Sequence, residues 1–359
     1  MPTATTASPR PAAIISPAVD AICGGGLSLL VAIGVIAYSL YSDVDVDSYT
    51  LSIQLILLTD LLINWPHFMA SYRLLYSRPQ NFAKHPLVTI GLPILAVLFV
   101  GYVAFHSGDS GQDGSSKLPV IVALEWAAPV FLGWHYTGQS WGMTACHAFL
   151  GGLRMQPVER RLIRAGFYTL FVFHVVLIYD AMGFIDRLLP QEQAGHYLMQ
   201  SLLAATRVAV FVSFALGLLG FQKLAKRESK SIPTQVWLPW LATYGWYVMV
   251  DFHPASFFLL QAFHALQYLT FPIRVELNQY AQTHRRKWLH MSVYYVLLIA
   301  FGVLAFGATL FADLTPSQMS IVTAVAIVFN LHHYFTDAVI WKIRDPQVRE
   351  ALFGHLKTS

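Results

Sequence analysis

The stretch Asn330-Leu-His-His-Tyr-Phe-Thr-Asp337 places two imidazoles and a carboxylate inside an apolar run with the length and composition of a membrane-crossing helix. Ionisable groups are costly in hydrocarbon, so residues of this kind mark a functional site by default. His333 and Asp337 are four residues apart and share one helical face, where a carboxylate orients an imidazole or ligates beside it.

The rest of the chain has the same character. Of its 359 residues 56% are apolar, 14% aromatic and only 12% charged, a composition that predicts an all-α, polytopic transmembrane helical bundle rather than soluble domains. Runs of some twenty residues with few charges are each long enough for about 30 Å of hydrocarbon. Ten spans are expected, at 22–42, 50–76, 87–107, 118–142, 165–185, 198–221, 234–251, 256–276, 289–312 and 318–342. The loops at 73–86, 154–164, 223–230 and 274–287 and the tail from Lys342 are basic. Those at 42–48, 108–117, 186–197, 251–255 and 313–317 are acidic or nearly neutral. This strict alternation puts the basic loops, and with them both termini, on the cytoplasmic side of a multi-pass membrane protein. Residues 1–20 read as a disordered cytoplasmic tail without a cleavable signal, 21–342 as the transmembrane domain and 343–359 as a cytoplasmic tail with a short amphipathic segment.

The net charge of +4 is spread over short loops rather than gathered in a patch, so no nucleic-acid partner is implied; the surroundings are membrane lipids. Cys23 and Cys146 give neither a disulfide framework nor a metal spacing. A phosphate-binding glycine loop, a nucleophile elbow and an HExxH motif are all missing, as are the histidine boxes of membrane desaturases. Arg207 is expected to pair with Asp180.

Depth sorts the fourteen histidines. His67 precedes Arg73 by six residues and Arg78 by eleven, His264 precedes Arg274 by ten, and His333 precedes Lys342 by nine, on spans of one direction. At 1.5 Å per residue they lie roughly 9–16 Å from the inner boundary. His135 lies slightly deeper, and His174, on an oppositely running span, falls in the same layer. One shared level on four spans points to convergence on a metal, for which neutral imidazole suits iron, copper or zinc. Either His332 or His333 serves from the last span. Polar residues at helical spacing accompany each candidate: Asp60 and Asn64 before His67, Gln139 after His135, Gln267 and Tyr268 after His264, Asp337 after His333. Such neighbours fix the tautomer of a ligating imidazole.

Four segments, Pro66-His67-Phe-Met, His135-Tyr-Thr-Gly-Gln-Ser, Phe263-His264-Ala-Leu-Gln-Tyr268 and Leu331-His332-His333-Tyr-Phe-Thr-Asp337, occur in an order that resembles the Brp/Blh family of bacterial β-carotene 15,15'-dioxygenases. These are integral membrane proteins that split a polyene with histidine-bound non-haem iron. The chain departs from the family's pattern after the first histidine, where Phe68-Met-Ala-Ser71 replaces Gly-Ala-Leu-Asp, and at Tyr268, which stands where the family has a second histidine. The resemblance implies Fe(II) held by His67, His135, His264 and His332 or His333, with His174 as a further candidate. O2 and a hydrophobic, lipid-soluble unsaturated molecule such as a carotenoid are the implied reactants. Asp337, Gln139 and Tyr268 then orient the ligands or line the open face. Two rival readings use the same histidines: a haem-binding electron-transfer protein, and a proton-coupled transporter in which they relay protons with Asp337.

Overall fold

A computed structural model describes residues 12–41, 48–107, 119–183, 192–281, 286–307 and 314–357, and among these no strand occurs. The loop expected at 108–117 lies outside the described residues, as do residues 42–47 of that at 42–48 and residues 186–191 of that at 186–197.

Ten long helical segments follow one another: α1 (Pro17–Tyr41), α2 (48–76), α3 (Leu87–His106), α4 (Pro119–Leu150), α5 (Pro157–Ala181), α6 (Glu192–Glu228), α7 (Thr234–Phe252), α8 (Phe257–Ala281), α9 (Lys287–Phe306) and α10 (Pro316–Ile340). A short helix, α11 (Pro346–Phe353), follows and runs into a 3-10 turn at Gly354–Lys357. Each of the ten overlaps an expected span, but α4 continues to Leu150, α5 begins at Pro157 inside the expected loop 154–164, and α6 continues to Glu228. Six of them, α1, α3, α5, α6, α9 and α10, are long and apolar enough to cross a membrane.

The other four, α2, α4, α7 and α8, carry more polar groups, and three of them hold histidines of the expected site. Their positions explain the difference. Eleven residues of α7 are buried, among them Trp240 and Trp246, and α7 packs against α1, α4 and α5. A helix enclosed by protein can carry polar groups because its neighbours satisfy them. In lipid, packing and hydrogen bonds rather than hydrophobic transfer hold helices together. Accordingly Trp246 Nε1 donates to Ser28 Oγ of α1 at 2.8 Å, and the Tyr244 and Ser213 hydroxyls meet at 2.9 Å between α7 and α6. Gly302 lets α9 approach α2, since a Cβ there would lie 2.6 Å from Cβ of Trp65.

Contacts at the helix ends fix the directions. Arg73 near the end of α2 makes a bidentate pair with Glu276 near the end of α8, and His290 near the start of α9 meets the same carboxylate at 2.7 Å. At the opposite end, Ser317 at the start of α10 donates to the carbonyl of Ser107, just past α3. Thus α2, α8 and α10 run the same way.

Two expectations are corrected. Arg207 pairs bidentately with Asp251 of α7, not with Asp180, because α7 is the neighbour its guanidinium faces. Residues 1–11 lie outside the described residues, but the remainder of the N-terminal stretch is packed rather than free. Asp20 accepts from the N–H groups of Ile14 and Ile15 at 2.7 and 2.9 Å, Arg274 donates to both their carbonyls, and His355 Nε2 meets the Ala13 carbonyl at 2.9 Å. Ile14 then packs with Leu75 and with Leu352 and Phe353 of α11. The two tails close over each other at the end of the bundle where α2, α8 and α10 finish.

Candidate metal centre

His67 follows an interruption in α2. Residues Asp60–Asn64 form a π-turn, Asn64 Nδ2 donates to Asp60 Oδ1 at 3.0 Å across it, and the α-helix resumes at Trp65 with Pro66 in its first turn. Pro66 offers no N–H to the preceding turn, and the Leu62 carbonyl four residues before it accepts from Tyr295 Oη of α9 at 2.6 Å instead. Single π-turns of this kind are frequent at functional sites because they rotate the following side chains relative to those before. His135 comes from the middle of α4, His264 from α8 and His333 from α10.

The four rings converge. One nitrogen of each of His67, His135, His264 and His333 lies within 4.8 Å of those of the other three, and all four residues are buried. His67 sits edge-on to His333 and His264, with ring centroids 4.4 and 5.1 Å apart, and His135 lies 4.6 Å from His264 and 5.0 Å from His333. Nε2 of all four, and Nδ1 of His67, His264 and His333 as well, have no hydrogen-bond partner among the described residues. A buried polar atom left without a partner costs about 1–3 kcal/mol. Four in one place amount to a sizeable part of the roughly 5–15 kcal/mol that keeps a protein folded. Ligation of one cation by all four lone pairs removes that cost, and four neutral imidazoles form a donor set suited to a first-row transition metal. The residues fit a metal ion.

Asp337 stands at the edge of the quartet. Its Oδ2 lies 3.3 Å from His333 Nε2 and 3.8 Å from His135 Nε2, without a hydrogen-bond donor. Its Oδ1 accepts from Ser71 Oγ and from Tyr268 Oη, both at 3.0 Å, while those two hydroxyls meet each other at 2.5 Å. One oxygen is therefore anchored by α2 and α8 and the other is free to face the metal position. Ser71 is a site residue that the sequence reading passes over. Its signal was present, since it follows His67 by four and so shares its face, but a serine on a helix ordinarily bonds its own backbone.

The remaining candidates separate. Gln139 Nε2 donates to the backbone carbonyl of His264 at 2.9 Å, tying α4 to α8 rather than touching a ring. Of the last pair, His333 joins the quartet. His332 points to the other side of α10, stacks on Tyr72 and meets the Val88 carbonyl at 2.7 Å through Nε2. His174 is buried against Gly133, where a Cβ would come within 2.7 Å of its ring, and its Nδ1 meets Tyr247 Oη at 3.0 Å. Tyr136 lies between it and His264, so His174 stands outside the group.

An apolar cavity of about 430 Å3 between α4 and α10 reaches His135, Gln139, Tyr268 and Asp337. Its remaining walls are largely aromatic, with Trp134, Tyr334 and Trp341 among them. Compared with known proteins, the chain matches no family model, no curated protein and no solved structure.

Proposed function

We propose that this protein is a membrane-embedded non-haem iron oxygenase of the dioxygenase type, acting on a lipid-soluble unsaturated substrate such as a carotenoid. The observation that carries the reading is a quartet of buried imidazoles with unpartnered Nε2 atoms, opening on an apolar cavity through His135 and Asp337. The proposal includes ten membrane crossings in a bacterial inner membrane, with both termini and the packed tails cytoplasmic.

His67, His135, His264 and His333 hold the iron. Bound there, Fe(II) supplies the activation of O2 that a closed-shell alkene lacks. In the overall reaction the substrate's C=C bond breaks and each carbon takes one oxygen atom of O2, giving two carbonyl products without an external reductant. Asp337, fixed by Ser71 and Tyr268, sets the open face beside His135 and His333. Gln139 keeps the His264 backbone in register with α4. The aromatic walls orient the target bond and exclude water, which protects reactive species from side reactions.

The packing of the rings favours iron without a porphyrin. A haem ligated by two axial imidazoles, as the electron-transfer reading requires, needs them on opposite faces of a broad slot, whereas here four rings meet edge to face around one point.

Metal analysis and an absorption spectrum of the purified protein test the proposal. One iron per chain with no Soret band is expected; a Soret band points to the haem protein, and no stoichiometric metal points to the transporter. His264→Ala and His333→Ala are expected to lose the metal and His332→Ala to keep it. Expression in carotene-accumulating cells is expected to bleach them.

A further inference from the structure

The cavity is a trough rather than a chamber. Along α4 its wall is made by Phe131, His135, Gly138 and Gly142, which fall on one helical face. At 1.5 Å per residue that face is about 16 Å long, with roughly 10 Å of it between His135 and Gly142. A Cβ added to Gly138 or Gly142 would meet no atom within 4 Å, so neither glycine is required by helix packing. Glycine in a helix costs about 1 kcal/mol relative to alanine, and two of them one turn apart in open space keep a strip of bare backbone. Opposite stands α10 with Tyr334 and Ala338. Phe131, Trp134, Gly138, Gly142, Phe335 and Ala338 are exposed at the outer surface, so the trough opens sideways between the two helices. Its inner wall ends on the unpartnered Nε2 of His135 and Oδ2 of Asp337, side chains only 9% and 10% exposed.

We propose that this cleft is a lateral portal through which an elongated, flat, conjugated hydrocarbon enters from the bilayer. The ligand lies along α4 over Gly138 and Gly142. Bare backbone on one side and aromatic faces on the other admit a rigid planar chain, and offset stacking against those rings favours a π-system over a saturated one. The bond brought beside His135 is about 10 Å from the end lodged near Gly142, with the remainder of the molecule directed past Phe131. The portal rests on the oxygenase reading for its purpose but not for its occupancy, since the walls are complete without iron.

Binding is therefore measured on metal-stripped full-length protein in lipid nanodiscs, with trans-parinaric acid, a fluorescent conjugated tetraene, as the probe and stearic acid as the saturated competitor of equal length. Energy transfer from Trp134 and Trp341 reports occupancy. The expected result is saturable binding that stearic acid displaces poorly and that Gly138→Leu and Gly142→Leu each weaken tenfold or more. Gly101→Leu on α3, where the added side chain also meets open space but outside the cleft, is expected to bind as the parent does. Ala338→Phe narrows the same trough from α10 and replaces either glycine variant that fails to fold. Parent-like binding by the trough variants, or equal displacement by stearic acid, overturns the portal. Iron content of the parent is read separately. Iron present with the portal result negative leaves the oxygenase reading standing without this route, and iron absent with the portal result positive leaves the binding trough without that chemistry.

Discussion

Ser71 and Tyr268 both pack against His67, and they also decide where Asp337 points. Both hydroxyls bond Oδ1, and Oδ2 is thereby turned toward His135 and His333. Partners of this kind typically change metal affinity 10–100-fold when removed. Ser71→Ala and Tyr268→Phe are each expected to weaken iron binding within that range, measured by competition with a chromogenic chelator, while the helical circular dichroism stays unchanged. The double variant is expected to fall further than either single one, but by less than the product of the two effects, because the two hydroxyls lie 2.5 Å apart and act on the same oxygen of Asp337. No loss of affinity in either variant would show that Asp337 needs no anchor. At this scale the sequence was informative about type and less so about choice. His332 and His333 are adjacent and chemically identical, and about 100° of helical rotation separates a ligand from a residue stacked on Tyr72.

Two elements carry distinct duties. The π-turn at Asp60–Asn64 sets the rotation of His67 about the axis of α2. The π-turn already absorbs one extra residue, so a second one, an alanine inserted between Asn64 and Trp65, turns everything on one side by about 100° relative to the other. The expected outcome is a protein with parental helix content that retains no stoichiometric iron, read by metal analysis of the purified variant. The second element is α11, held at its start by Asp345, whose carboxylate accepts the Gln347 N–H at 2.8 Å and lies 3.3 Å from Lys84 Nζ. The backbone N–H first, and Lys84 after it, holds this carboxyl below its usual range. A group whose value is lowered on folding contributes fully above its unfolded value, near pH 4, and loses that contribution as the pH falls through the lowered one. Docking of the C-terminal segment should therefore weaken in two steps, first below about pH 6.5 as the His355 imidazole, held below its usual value by burial, takes up a proton, and again below about pH 4 as Asp345 does. Amide hydrogen exchange over residues 346–357 checks this, and Asp345→Asn should remove the lower step while leaving the upper one.

Over the whole molecule, the quartet joins four helices that are far apart in sequence, so a bound metal acts as a tie across the bundle. A ligand at a thousand times its dissociation constant stabilises the folded state by about 4 kcal/mol. Stripping the metal is accordingly expected to lower the thermal midpoint by several degrees in differential scanning fluorimetry, and His333→Ala to show no further drop on chelation. Equal midpoints before and after chelation in the parent protein would contradict a metal tie. The sequence by itself determined the all-helical character, the positions of the ten long helices, and the layer in which His67, His135, His264 and His333 meet, because apolar run length and residue rise along a helix are local quantities. Only the tertiary structure decided which face of each helix looks inward. That choice separated His333 from His332, left His174 with Tyr247, moved Arg207 from Asp180 to Asp251, recruited Ser71, and drew residues 12–20 into a packed end. Each of these depends on which helices become neighbours, and neighbours are set by packing between segments distant along the chain, of which no single run of residues carries a record.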